Sequence, residues 1–385
     1  MPIELRKAYL IEIRLRYSKS TKKKKGLILD EFCEVSKLTR KHAIKILNGK
    51  LNPRTKRPGP KSRYQKDNVI IALKELWELM NKMCSKKMKF AFIDWLPFYN
   101  ATDEVKVLLL SMSPSTIDRL LKPHRSPLKK GLSGTKANLI KNRIPLKLID
   151  GDIKIPGYLE ADTVAHCGNS LSGEFANSLT FTDLASGWTE NRAIWTKLAK
   201  QIVKRLEDVE KRLPFSMIGF ASDNGSEFIN EEVEDYLKQR SAPVNMVRRR
   251  PYKKNDNAHV EQKNWTHVRQ LFGYERVENE ELVPLMNEIY QAYWNPILNF
   301  FTPVLKLVSK ERIGGRVKKK YDDPKSPYKR LLDSSYIDEE TKTELRNKFY
   351  TKNPIFLKKQ LDQKLHEFFK RLDELKIGKR MTGSP

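Results

Sequence analysis

Cysteine is scarce in this chain: Cys33, Cys84 and Cys167 are the three among 385 residues, and no Cys-x-x-Cys pair occurs. That spacing excludes a disulfide-stapled fold and fits a reducing compartment. Only His42 and Cys33 stand in the first 64 residues as possible zinc ligands, so no zinc module opens the chain. Long apolar runs are missing too. No stretch approaches the roughly 18 apolar residues of a spanning helix, and the first residues, Met1-Pro-Ile-Glu-Leu-Arg-Lys7, hold no signal-peptide core. We therefore expect a cytoplasmic protein without a membrane partner, nucleoid-associated when bound to DNA. Acidic residues are outnumbered, 47 against 75 Lys and Arg, which leaves a net charge of +28. An excess of that size favours a polyanion, most simply double-stranded DNA, because neutralising phosphates releases condensed counterions. With 39% hydrophobic residues the chain can still build the cores of two or three domains.

Three carboxylates carry the chemistry. Asp162 interrupts Gly157-Tyr-Leu-Glu-Ala-Asp162-Thr-Val-Ala, an apolar-rich run that reads as a buried strand. A carboxylate there needs a cation. Asp223 ends a second strand, Met217-Ile-Gly-Phe-Ala-Ser-Asp223, and the turn signature Asn224-Gly225 follows it into an acidic helix start. Glu261 lies in a helix in which Ala258, Trp265, Val268 and Phe272 recur at helical spacing, and it shares the side of Ala258 and Trp265. Magnesium and manganese favour carboxylate oxygen, and two such ions roughly 3.5 to 4 Å apart can activate an attacking oxygen and stabilise a leaving one. Singly, each acid is more often a cap or a solvated charge. Together, in this order of elements, they read as the ligands of two Mg2+ ions, with Mn2+ as substitute. Between them, 173–183 and 188–195 read as a hairpin around Ser186-Gly187, 196–213 and 227–240 as helices, and 243–247 as a short strand. The order βββαβαβα is that of an α/β ribonuclease-H-like core with a mixed five-stranded sheet. Asp183 ends a strand as well and reads as a structural or turn residue, and His166 and Cys167 read as structural or near-site residues, because adjacent strand residues point to opposite faces and cannot converge on one atom.

At these residues the chain resembles the DDE transposases of bacterial insertion sequences, whose catalytic domain looks like retroviral integrase. The resemblance is carried by Glu160-Ala-Asp162-Thr-Val, Phe181-Thr-Asp183 before Gly187-Trp188, Ser222-Asp223-Asn-Gly-Ser-Glu-Phe228 and Asp256-Asn-Ala-His-Val-Glu261-Gln-Lys-Asn264. It covers about residues 157 to 275 closely. The chain departs from many relatives, which carry Gly where Ala258 or His259 stands here and have a slightly shorter second spacing. What the resemblance implies is a transposase or integrase that nicks the ends of a DNA element and joins the freed 3′-hydroxyl to target DNA. Asp162 would bridge both ions, Asp223 hold one and Glu261 the other. It also implies that the protein acts as a homo-oligomer on DNA. Asn257, Lys253, Lys254 and Lys263 are candidates for DNA contacts, with solvated surface lysines as the plain alternative.

The flanks read as DNA-binding helices. Residues 1–64 hold 19 Lys or Arg against 5 acids, so half of the net charge lies there. Within them, 27–35 reads as a helix, 36–38 as a turn, and Thr39 as the cap of a second helix to Leu47. This is a helix-turn-helix pattern, with Ala43, Ile44 and Leu47 inward and Arg40, Lys41 and Lys45 toward a major groove or its phosphates. A plain helical hairpin fits the pattern equally well; the Lys22–Lys25 run and the Arg54–Lys61 segment favour DNA. The expected organisation is a helix-turn-helix domain at 1–64, a second helix-turn-helix-like domain at 65–125, a linker at 126–154, the catalytic core at 155–300, and a basic, mainly helical region at 301–385. Two rival functions share these features: a metal-dependent endonuclease without strand transfer, and a catalytically silent DNA-binding relic.

Overall fold

Alternation sets up the central sheet. In the computed structural model, which describes residues 3–49, 63–125, 153–222, 228, 230–244, 246–248, 264–314 and 316–382, strand β1 (Tyr158–Ala165) turns Leu159 and Ala161 to one face and Glu160 and Asp162 to the other. Gly157 precedes it at φ +117°, where an added Cβ would lie 2.4 Å from the Ser216 carbonyl oxygen, so only glycine fits. Strands β2 (Asn177–Asp183) and β3 (Thr189–Ile194) continue antiparallel, and β4 (Gly219–Ser222) and β5 (Met246–Arg248) run parallel to β1 on its other side. The sheet order is β3-β2-β1-β4-β5. The mixed sheet and its helices have the architecture of a ribonuclease-H-like core.

Two helical layers cover the sheet. Helices α8 (Ala199–Glu210) and α9 (Glu231–Gln239) bury Ile202, Leu206, Val209, Val233 and Leu237 against Leu159, Leu179, Phe181 and Phe220. On the other face lie helix 264–272, a long helix 282–301 and the C-terminal helix Pro354–Thr382, around Phe272, Met286, Tyr290 and Phe368. Helix 282–301 contains stretches of i→i+5 hydrogen bonding, at Ile289–Trp294 and Ile297–Phe301.

The described chain forms two compact units, 1–63 and 64–385. In the first, α1 (Ile3–Lys19), α2 (Lys22–Ser36) and α3 (Arg40–Asn48) enclose Ile13, Tyr17, Ile28, Leu29, Phe32, Ala43 and Leu47. Lys37 ends α2 in the left-handed region, and Thr39 takes the N-cap position of α3 without a side-chain cap bond. Ile44, expected inside, is 38% exposed; Ile46, half-buried, packs against the core instead.

Residues 64–125 belong to the second unit. Helices α4 (Asp67–Leu79), α5 (Ser85–Trp95), α6 (Asp103–Ser111) and α7 (Pro114–Leu121) share one core with Trp188, Phe300, Phe301, Tyr328 and Leu345. Ser113 caps α7 through Thr116 N at 3.2 Å, with Pro114 at the first helical position. The Trp95 indole donates to the Phe301 carbonyl at 3.1 Å, and Lys329 meets the buried Asp94 carboxylate at 2.7 Å. Burial raises the pKa of Asp94, and Lys329 opposes the shift. The basic segment 54–61 and all but the last two residues of the expected linker lie outside the described residues.

Candidate active site

Asp162 sits mid-strand on the sheet face that looks toward helix 264–272, half-buried. One carboxylate oxygen accepts its neighbour's amide, Thr163 N, at 2.7 Å; the other accepts the side-chain amide of Asn264 at 2.5 Å. Asn264 is the first described residue of helix 264–272, three residues beyond Glu261 in the chain. Its amide oxygen is buried and accepts no hydrogen bond among the described residues. Parallel pairing of β1 and β4 sets Ala161 opposite Ser222. Each of these is the residue just before an expected ligand, Asp162 and Asp223 respectively. Ser222 and Asn264 thus both lie against β1 beside Asp162.

Of the ten expected site residues, Asp162, Arg40, Lys41 and Lys45 are described. Asp223, Glu261, Asn257, Lys253, Lys254 and Lys263 lie outside the described residues. Arg40, Lys41 and Lys45 are exposed on α3 in the first unit, and Arg40 is ion-paired with Asp30. Asn264 ends the sequence motif around Glu261, but no role was expected of it; its position one helical turn after an acid expected to be a ligand is the signal that points to it.

The neighbouring polar groups hold the frame. Asp183, fully buried, accepts Gly157 N at 2.8 Å on one oxygen, and Ser186 N and Ser186 Oγ at 2.6 Å on the other. It ties the start of β1 to the β2–β3 turn. Burial pushes its pKa up, while these donors and Lys306 pull it down. His166, one residue past β1, bonds Ser178 Oγ through Nε2 at 2.7 Å, and Ser178 Oγ accepts the Tyr290 hydroxyl at 2.7 Å. Burial, and then the charge of Arg269, lower the pKa of His166 to about 3. A neutral imidazole among Phe272, Tyr290 and Ser178 is a packing residue.

Among the described residues no helix is long and apolar enough to cross a membrane. No family model matches the chain. Solved structures similar to it include the catalytic core domain of BIV integrase, with 16% identity, a TM-score of 0.29, and 47% of this chain and 96% of that one covered. The HTLV-2 integrase catalytic core domain in complex with magnesium aligns at 16% identity and TM-score 0.29, over 39% of this chain and 91% of that one. A chain of the simian T-cell lymphotropic virus intasome aligns at 14% identity and TM-score 0.27, over 46% of this chain and 58% of that one. The sequence is also 35% identical over 327 residues, 82% of this chain and 91% of the relative, to the uncharacterized protein y4rM of Sinorhizobium fredii (strain NBRC 101917 / NGR234). The chain therefore belongs to the same family as y4rM.

Proposed function

We propose that this protein is a DDE-type polynucleotidyl transferase, a transposase or integrase that cuts DNA and joins the freed 3′ end to a second duplex. The observation that carries the reading is the convergence on β1: Ala161 paired with Ser222, and Asn264 bonded to Asp162. An asparagine that donates to Asp162 fixes the direction of its remaining lone pairs, so Asn264 is a positioning residue. Its orphaned amide oxygen suits a water bound to a cation, since a buried acceptor without a donor costs about 1 to 3 kcal/mol. Carboxylate and amide oxygens are the hard donors that Mg2+ and Mn2+ take. Asp162, Asp223 and Glu261 would hold the ions. When bound, they supply positive charge that activates the attacking oxygen and stabilises the leaving one. The protein's share is to orient the carboxylates. Asp183 and His166 do so at one remove, by fixing the two ends of β1. Element ends and target duplex are the substrates, on which the protein works as a homo-oligomer.

Strand transfer of a labelled element-end oligonucleotide into plasmid, with Mg2+ or Mn2+, tests the reading. The wild type should cut and join, and Glu261→Gln should lose both by more than a hundredfold while still binding DNA. Cutting without joining would favour an endonuclease. Binding without cutting, with a verified end sequence, would leave a DNA-binding relic.

A further inference from the structure

Strands β6 (Leu307–Ile313) and β7 (Arg316–Tyr321) form an antiparallel ribbon that adds nothing to any apolar core. All of β6 but Ser309 is exposed, with Val308 at 62% and Ile313 at 61%. A two-stranded ribbon alone is marginal in water. This one also sets Lys310 directly opposite Lys319, and like charges in that position repel. Arg312 stands opposite Val317 on the same face, which carries no carboxylate; Glu311, the ribbon's one acid, faces Lys318 on the reverse. Local stability favours the Glu311–Lys318 pair but does not explain the opposed lysines.

The base of the ribbon is built differently. Lys306 N donates to Asp322 Oδ1 at 2.7 Å, and Asp322 N to the Lys306 carbonyl at 2.9 Å. Arg330 pairs with Asp322 at 2.7 Å, and Lys306 Nζ donates to the carbonyls of Leu184, at 2.6 Å, and Ala185 in the β2–β3 turn. The root is clamped to the sheet, and the blade stands in solvent with Gly314 at its tip in the left-handed region.

We propose that this ribbon is a DNA-docking blade that enters the major groove of duplex DNA with its carboxylate-free face inward. The proposal rests on the reading of the protein as a DNA-processing enzyme and names a contact that the reading did not contain. A major groove about 12 Å wide admits a two-stranded ribbon. Seven residues at about 3.3 Å each give a blade about 23 Å long. Lys310 and Lys319 then meet the phosphates, and Arg312 reaches the guanine edge with Val317 beside it to meet a thymine methyl. A merely solvated face would need neither the opposed lysines nor the exposed valines.

Full-length protein titrated with a duplex over a range of salt concentrations tests this. Lys310→Gln, Arg312→Gln and Lys319→Gln together should lower the slope of log K against log salt by about 0.9 for each phosphate no longer neutralised, two or three in all. The wild type should protect guanine N7 from methylation and the triple variant should not. The reverse-face pair Lys318→Gln and Lys320→Gln should change the slope less and leave that protection in place. Lys319→Gln alone relieves the like-charge pair, so it should fold at least as well and still lose about one unit of slope. An unchanged slope in both Lys319→Gln and the triple variant overturns the docking blade. Guanine N7 left reactive by the wild type overturns groove entry, and an equal loss from the reverse face overturns the assignment of faces. A protein that never cuts DNA but shows the ribbon-dependent slope would sink the transferase reading and leave the ribbon standing; one that cuts with an unchanged slope would do the reverse.

Discussion

A proton on His166 would have no acceptable place in this fold. The ring is fully buried, Nε2 is taken by Ser178, Nδ1 has no hydrogen-bond partner among the described residues, and Arg269 already supplies positive charge nearby. The unfolded imidazole takes up a proton near pH 6.5, whereas the folded one holds out to about pH 3. Acid therefore favours the unfolded chain. Stability should be full above pH 6.5 and should fall below it by about 1.4 kcal/mol per pH unit from this group alone. Urea midpoints of the wild type and His166→Gln between neutral pH and about pH 5 would measure it. The variant should be less stable at neutral pH and should lose the excess acid sensitivity. Equal pH slopes for the two proteins would refute the assignment. The sequence supports a structural reading of His166 because adjacent strand residues such as His166 and Cys167 cannot converge on one atom, but the Ser178–Tyr290 chain that holds it joins residues more than a hundred positions apart. No local spacing announces such a partner.

At the scale of elements, the edge of the sheet is closed by a helix that imitates a strand. β3 has no strand on its outer side among the described residues, and helix 282–301 supplies the missing ladder with asparagine side chains. Asn287 exchanges two bonds with Ala193 at 2.9 Å, Asn299 two with Thr189 at 2.8 and 2.9 Å, and Asn295 two with the Asn191 backbone at 3.2 and 3.4 Å, beside a third from the Asn191 side-chain amide at 2.9 Å. An open edge is a template for aggregation, so covering it protects the fold. Asn295 also donates to the buried Glu190 at 3.0 Å, which burial pushes to a higher pKa and Arg192 pulls back. Asn295→Ala leaves a buried N–H, a buried carbonyl, the buried Asn191 side-chain amide and a buried carboxylate short of partners, so it should cost about 3 to 4 kcal/mol at roughly 1 kcal/mol for each. Urea denaturation at neutral pH reads this, and a loss below about 1 kcal/mol would show that water replaces the amide. The strands are legible because apolar alternation is local, and the Thr39 cap position of α3 is legible because a cap is local too. The asparagine ladder was visible in principle, as polar amides four and eight residues apart in an apolar helix. Helix α1 was missed for a different reason: Ile13 and Tyr17 face inward while Leu5, Ile11 and Leu15 are exposed, so its apolar residues mark no single face.

Over the whole molecule, the positive charge and the candidate site are divided between two units. Residues 1–63 form their own core and hold half of the net charge, while Asp162 lies in the unit 64–385. Charge counting finds such a division from sequence, because composition needs no contacts. Packing partners are another matter: that α4 to α7 share a core with Tyr328 and Leu345 depends on apolar faces meeting across more than two hundred residues. If the first unit is the main grip on DNA, a chain beginning at Tyr64 should stay folded, since its three apolar cores contain no residue before Tyr64. It should bind duplex with a salt slope lower by about three, one unit for each phosphate held by Arg40, Lys41 and Lys45. The Arg40–Asp30 pair does not prevent this, because an exposed ion pair holds by at most about 1 kcal/mol and yields to a phosphate. Metal-dependent nicking of plasmid should survive at high protein concentration, because Asp162 and its partners remain. A truncated chain with the slope of the full protein would move the grip into 64–385, where the ribbon is the first surface to test. One that keeps its fold but loses nicking at saturating DNA would mean that the first unit takes part in the chemistry as well as in binding.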